Sequence, residues 1–123
     1  MTFQVMSLIM TCAGCLLGLR FIFAGGSVLQ EWGIDATAGS LVVSRRIGAL
    51  YLGLALMFFL GQAAAPSDLR SAVCLVTGGA TALLACLGLF EFRSGRVTAG
   101  IFRSVVAEAV LAAGFAWVWW GGR

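Results

Sequence analysis

Ser71-Ala-Val-Cys-Leu-Val-Thr-Gly-Gly-Ala-Thr-Ala-Leu-Leu-Ala-Cys-Leu-Gly-Leu-Phe90 is twenty residues without a charge. At helical rise such a run reaches about 30 Å, the thickness of a bilayer's hydrocarbon core. It is rich in Gly and Ala, so its helical state would be imposed by lipid, where backbone groups must bond within the segment or close into a barrel. A barrel would alternate apolar and polar residues in segments of about ten, and no such alternation is present.

Three more stretches share this character. Ile47 to Ala65 has no charge, Phe3 to Ala24 has only Arg20, and Val97 to Trp120 has only Arg103 and Glu108. With their caps the predicted spans are 3–24, 44–65, 69–91 and 98–120. The expected fold is all-α: a membrane-embedded four-helix bundle forming a single domain, residues 1–123, with a short interfacial helix between spans one and two. No Lys or Arg precedes Arg20, so the first span lacks the basic start of a cleaved signal and is read as retained.

Composition agrees. The 123 residues are 61% hydrophobic and 11% charged, against about 25% charged in a soluble domain. All eight basic residues are Arg, and the chain has no Lys, His or Asn. Together with abundant Ala and Gly this suggests a high-GC bacterial source. The net charge of +3 does not mark a nucleic-acid surface, because the arginines sit at the ends of the apolar runs.

The connections carry turn chemistry. Ser27 and Gln30 form a capping-box pattern that would open a helix bearing Val28, Leu29 and Trp32 on one side and closing at Gly33, lying along the membrane surface. Asp35, Thr37 and Ser40 are alternative caps for the second span. Pro66-Ser67-Asp68 is a turn and cap for the third, and Ser94-Gly95 separates it from the fourth. Arg45, Arg46, Arg93, Arg96 and Arg103 fall on one side, Arg70 and Arg123 on the other. The positive-inside rule then places both termini outside the cytoplasm, in a bacterial inner membrane, with Trp117, Trp119 and Trp120 as an outer aromatic anchor.

Small residues recur every four positions: Gly14 and Gly18, Ala49 and Gly53, Gly78, Ala82 and Cys86, and Ala109 and Ala113. Such stripes allow helix backbones to approach closely in lipid. Arg46-Ile-Gly-Ala-Leu-Tyr51 also echoes Arg103-Ser-Val-Val-Ala-Glu108, as a two-plus-two repeat would.

The candidate site is polar. Counted from the arginine-rich boundary, Arg20, Tyr51 and Glu108 each lie five residues inside, about 7–8 Å deep, and Glu91 closes span three at that boundary. An ionisable group in a span normally faces the bundle and finds a partner. Arg20 and Glu108 could form a bidentate pair with Tyr51 as a further hydrogen-bond partner. Such a pair could lock the bundle or form a ligand or proton site; equally, Arg20 could snorkel to the headgroups and Glu108 pair with Arg103 or Arg45. Cys12-Ala-Gly-Cys15 places two thiols on one helix face, where they could bind a soft metal or cycle as a disulfide. Without His, and with Cys74 and Cys86 at other depths, packing is the preferred reading for all four cysteines.

Leu16-Leu-Gly-Leu-Arg20-Phe-Ile-Phe-Ala-Gly25 and Arg45-Arg-Ile-Gly-Ala-Leu-Tyr-Leu-Gly53 resemble the corresponding segments of DoxX-like small four-helix bacterial membrane proteins. The resemblance covers about twenty residues in detail and implies no catalytic residue. The C-x-x-C is similar to the Cys pair of mercuric transport proteins, but the nearby proline and later cytoplasmic cysteines of those proteins are missing. Small multidrug exporters match in size but carry their membrane carboxylate in the first span.

The leading expectation is a small non-enzymatic membrane protein, an accessory or envelope component needing no cofactor. Its partners would be the bilayer and either a second copy or a larger membrane complex, with no nucleic acid. One alternative is an oligomeric transporter coupled through Glu108; another is a thiol redox or soft-metal protein using Cys12 and Cys15.

Overall fold

The computed structural model describes residues 2–121, so the expectation that placed Arg123 at the carboxyl end lies outside the described residues. The regular elements among the described residues are all helical: α1 (Phe3–Phe23), α2 (Gly25–Glu31), α3 (Ala38–Leu60), α4 (Asp68–Arg93), and a 3-10 turn (Ala99–Ile101) leading into α5 (Phe102–Gly121). Four of these segments are long and apolar enough to cross a membrane.

Local chemistry sets the helix ends. Thr2 and Ser67 cap α1 and α4 through hydrogen bonds from Val5 and Arg70. Thr37 and Ser40 cap α3 reciprocally. Thr37 is therefore the cap among the three candidates, and α3 starts six residues before the expected position 44. It carries Arg45 and Arg46 within the helix rather than in a loop, and it stops at Leu60, five residues short of 65. The Ser27–Gln30 capping box does not form. Helix α2 begins three residues earlier, at Gly25 behind Ala24 in place of Val28 behind Ser27, with no side-chain cap. Gly33 does end it, at a φ of 76° that L side chains rarely adopt. The apolar side of α2 is not left for a membrane surface: Val28 and Leu29 are buried against the bundle.

The helices associate as two tight pairs, α1 with α3 and α4 with α5, and the pairs touch mainly through α1 and α5. In the first pair, backbones nearly meet. A Cβ on Gly14 would stand 2.9 Å from the Tyr51 carbonyl, and one on Gly48 would stand 2.7 Å from the Gly18 carbonyl. Ser44 Oγ donates to the Phe21 carbonyl at 2.8 Å, and Thr11 Oγ1 reaches the Ala55 carbonyl at 3.3 Å. The expected α1 stripe of Gly14 and Gly18 is thus the one used. On α3 the packed stripe is Ser44, Gly48 and Ala55, while Ala49 and Gly53 face outward. In the second pair Gly78 meets Phe115 and Gly88 meets Val105, leaving Ala82, Cys86, Ala109 and Ala113 exposed. Helices this rich in Ala and Gly carry small-residue stripes on several faces, and the bulky partners Phe115, Val105 and Leu52 select which stripe is buried.

The two pairs converge at the end of the bundle that holds the start of α1. Phe3, Met6 and Met10 of α1, Phe58 of α3, Cys74 of α4, and Leu111, Phe115 and Val118 of α5 form one core there. Phe58 and Phe115 pack in a tilted arrangement with ring centroids 5.3 Å apart and planes at 44°. At the other end, next to α2, the pairs stand apart. Much of the outer surface is apolar; Leu50, Leu60, Leu69, Phe23, Val106 and Val110 are all exposed.

Candidate functional site

The gap between the two helix pairs is a chamber of about 490 Å³, within the range of small-molecule sites. Its floor is Met10 and Leu111, at the edge of the four-helix core, and Val28, Glu31 and Trp32 border it on the α2 side. Leu17 and Leu54 supply one wall, Val76 and Leu84 the other, with Thr77 and Thr81 between them. The Thr81 hydroxyl is spent on its own helix, donating to the Thr77 and Gly78 carbonyls at 2.9 and 3.1 Å. A second void, beside Arg70 and Trp119, measures about 10 Å³, room for one water at most.

Arg20, Tyr51 and Glu108 all line the chamber. Arg20 comes from the end of α1, Tyr51 from the middle of α3 and Glu108 from the second turn of α5; α1 packs against both α3 and α5, which brings the three helices to one cavity. Glu91 does not join them. It pairs with Arg96, five residues ahead in the same hairpin, and is absent from the chamber lining. The anticipated Arg20–Glu108 pair is replaced by another. Arg20 Nη2 lies 3.3 Å from Glu31 Oε2, and Arg103 Nη1 lies 2.8 Å from Glu31 Oε1. Glu31 is thus the bridging carboxylate of the site, one oxygen to each guanidinium.

Glu31 owes this position to the turn that ends α2. Thr98 donates its backbone N–H to the Trp32 carbonyl at 2.8 Å and its hydroxyl to the Glu31 carbonyl at 3.0 Å. Gly100 packs directly on the Glu31 carbonyl, where any Cβ would collide with backbone. The end of α2, which belongs to the first helix pair, is therefore fastened to the segment that opens α5, which belongs to the second. The Arg103 hydrogen bond, joined by that of Arg20, holds the Glu31 carboxyl below its ordinary range, against the upward push of partial burial.

Around this ionic bridge stands an aromatic row. Phe21 stacks nearly parallel on Tyr51, centroids 5.8 Å apart and planes 6° apart, and meets the Trp32 ring edge-on at 6.0 Å. All three line the chamber. Glu108 accepts no hydrogen bond and joins no ion pair among the described residues. Cys12 and Cys15 are exposed, outside the chamber lining, and both thiols are free. Among the described residues no three His, Cys, Asp or Glu side chains cluster as metal ligands would.

Sequence reasoning missed Glu31. A signal was available: it is the one carboxylate in the connection between Arg20 and Arg45 that helical spacing puts on the same side of α2 as Val28. Compared with known proteins, the chain matches no protein-family model, no curated protein and no solved structure.

Proposed function

We propose that this chain is a four-span protein of a bacterial inner membrane that binds a small amphiphilic molecule between its helix pairs without chemically altering it. The observation that carries the reading is the chamber: about 490 Å³, walled by aliphatic side chains, with its ionisable groups gathered toward one end. An apolar cavity with a few convergent polar groups is the usual form of a small-molecule site. Three of its four charged groups, Arg20, Glu31 and Arg103, are bonded to one another, which suits holding a ligand better than transferring protons or electrons to it. An accessory or envelope protein that senses or presents an amphiphile would need no more.

Support for the membrane setting comes from the outer surface. Contiguous exposed Leu, Val and Phe side chains on four apolar helices suit lipid and not water. Arg45, Arg46, Arg93, Arg96 and Arg103 gather at the α2 end, whereas Arg70 lies over Phe3 at the other, 4.6 Å from its ring. The positive-inside rule then places the α2 end in the cytoplasm and both termini outside. Exposed Trp117 and Trp120 suit the outer interface.

Native mass spectrometry of the chain released from lipid nanodiscs tests the binding reading. The wild type should retain one small-molecule or lipid adduct that Ala80→Phe, which fills the chamber from α4, loses. Equal adducts on both would refute it. Reporter fusions test the orientation: a periplasmic reporter should be active after residue 66 only if that loop lies outside.

A further inference from the structure

Resting on that chamber, a more specific conclusion concerns what occupies it. We infer that the chamber takes a lipophilic organic cation, its charged centre held by the Glu108 carboxylate against the aromatic row of Tyr51, Phe21 and Trp32.

Four charged side chains line the chamber, and Glu31 binds both guanidiniums, one through each oxygen. That cluster keeps one surplus positive charge at the α2 end, where Arg103 is 80% exposed and solvent ions screen it. Glu108 lies five residues further along α5 than Arg103, about 7.5 Å deeper at helical rise. There it has no hydrogen-bond or ion-pair partner among the described residues. A carboxylate facing apolar walls without a counter-charge is costly; it relieves that cost by holding a proton or by taking a cationic ligand in the proton's place. An anionic ligand would meet Glu108 directly and would have to draw Arg20 away from Glu31.

The aromatic row supplies the second, independent support. The stacked Phe21–Tyr51 pair and the Trp32 indole line the same cavity as the carboxylate. Aromatic faces attract cations, quaternary ones above all, and more strongly where water is excluded. A compact polar cation would gain little from the aliphatic remainder of the chamber, so the ligand's substituents must be apolar. The volume admits a drug-sized molecule.

The test is equilibrium binding of radiolabelled tetraphenylphosphonium to the whole chain in nanodiscs, with tetraphenylborate as an anion of equal size and shape. Saturable binding of the cation at one per chain is expected. It should be about tenfold or more weaker in Glu108→Gln and abolished in Ala80→Phe. Glu108→Asp, which keeps the charge, should bind within a few-fold of wild type, separating loss of charge from loss of fold. Cation binding unchanged in Glu108→Gln overturns the inference. Saturable tetraphenylborate binding blocked by Ala80→Phe also overturns it, while leaving the chamber in place as a binding site. Binding of neither ion overturns it too, and the chamber reading falls with it only if the Ala80→Phe-sensitive adduct in native mass spectrometry is also missing.

Discussion

Replacing Glu31 by Gln should loosen the bundle at its α2 end, and the structure allows the effect to be sized. Arg103 is 80% exposed, so its arm of the bridge contributes about 0–1 kcal/mol. The Arg20 arm is better sheltered, with the Glu31 side chain only 20% exposed, but Arg20 itself is 41% exposed and the bond is 3.3 Å long. After allowance for solvent screening it contributes about 1 kcal/mol. The variant should therefore lose about 1–2 kcal/mol, a fall of roughly 3–10 °C in the melting temperature of a chain this size. The assay is thermal unfolding in a mild detergent, followed by the fraction of chain left monodisperse, with Arg20→Gln and the double variant completing a cycle. The cycle should return a coupling energy, because removing either partner removes the same bond. The pH dependence has a definite sign. The folded carboxyl titrates below its ordinary value of 4.5, so its contribution is complete above that pH and is lost as pH falls through the lower, folded value. The gap between wild type and Glu31→Gln should accordingly close on acidification below pH 4.5. Equal melting at neutral pH, or a gap that does not change with pH, would refute the bridge.

Three further outcomes follow from packing. Gly48→Leu should be among the most damaging single changes, costing about 1–3 kcal/mol or more by detergent melting, because its Cβ would press on the Gly18 carbonyl; Gly53→Leu, with open space around it, should be close to neutral. Ser7→Ala should melt at the same temperature or higher, since the Ser7 hydroxyl is fully buried without a hydrogen-bond partner, and removing it relieves about 1 kcal/mol. A small lipophilic maleimide should modify Cys12, Cys15 and Cys86 well before Cys74, which is only 2% exposed, as read from peptide masses over time.

The four long helices were legible because apolar runs of this length with so few charges have few other folds open to them; Gly33 and the Pro66-Ser67-Asp68 turn were legible by residue type, whereas Thr37 was one of three candidate caps. The interior was less so. Small-residue spacing identified the α1 face correctly at Gly14 and Gly18 but missed by one position on α3, where Gly48 and not Ala49 meets its neighbour. Spacing along one helix does not reveal which of several small stripes a bulky partner will choose. Depth counting named Arg20, Tyr51 and Glu108, and all three line the chamber, although α3 begins well before the boundary that the count assumed at Arg46. It could not find Glu31, whose bond to Arg103 spans 72 positions and depends on α2 docking onto the 3-10 turn through Thr98 and Gly100. Glu91 pairs with Arg96 across the turn after α4, a pairing that needs no tertiary structure.

The central claim is that the space between the two helix pairs is an occupied chamber and not a seam that closes in the membrane. Photolabelling with a small uncharged diazirine in nanodiscs, mapped by peptide sequencing, tests it most directly. Labels should concentrate on chamber-lining Thr77, Thr81, Leu84 and Ala107 and decline there, and only there, in Ala80→Phe. Labelling confined to outward residues such as Leu50, Leu60, Val106 and Val110, and unchanged in the variant, would contradict the account.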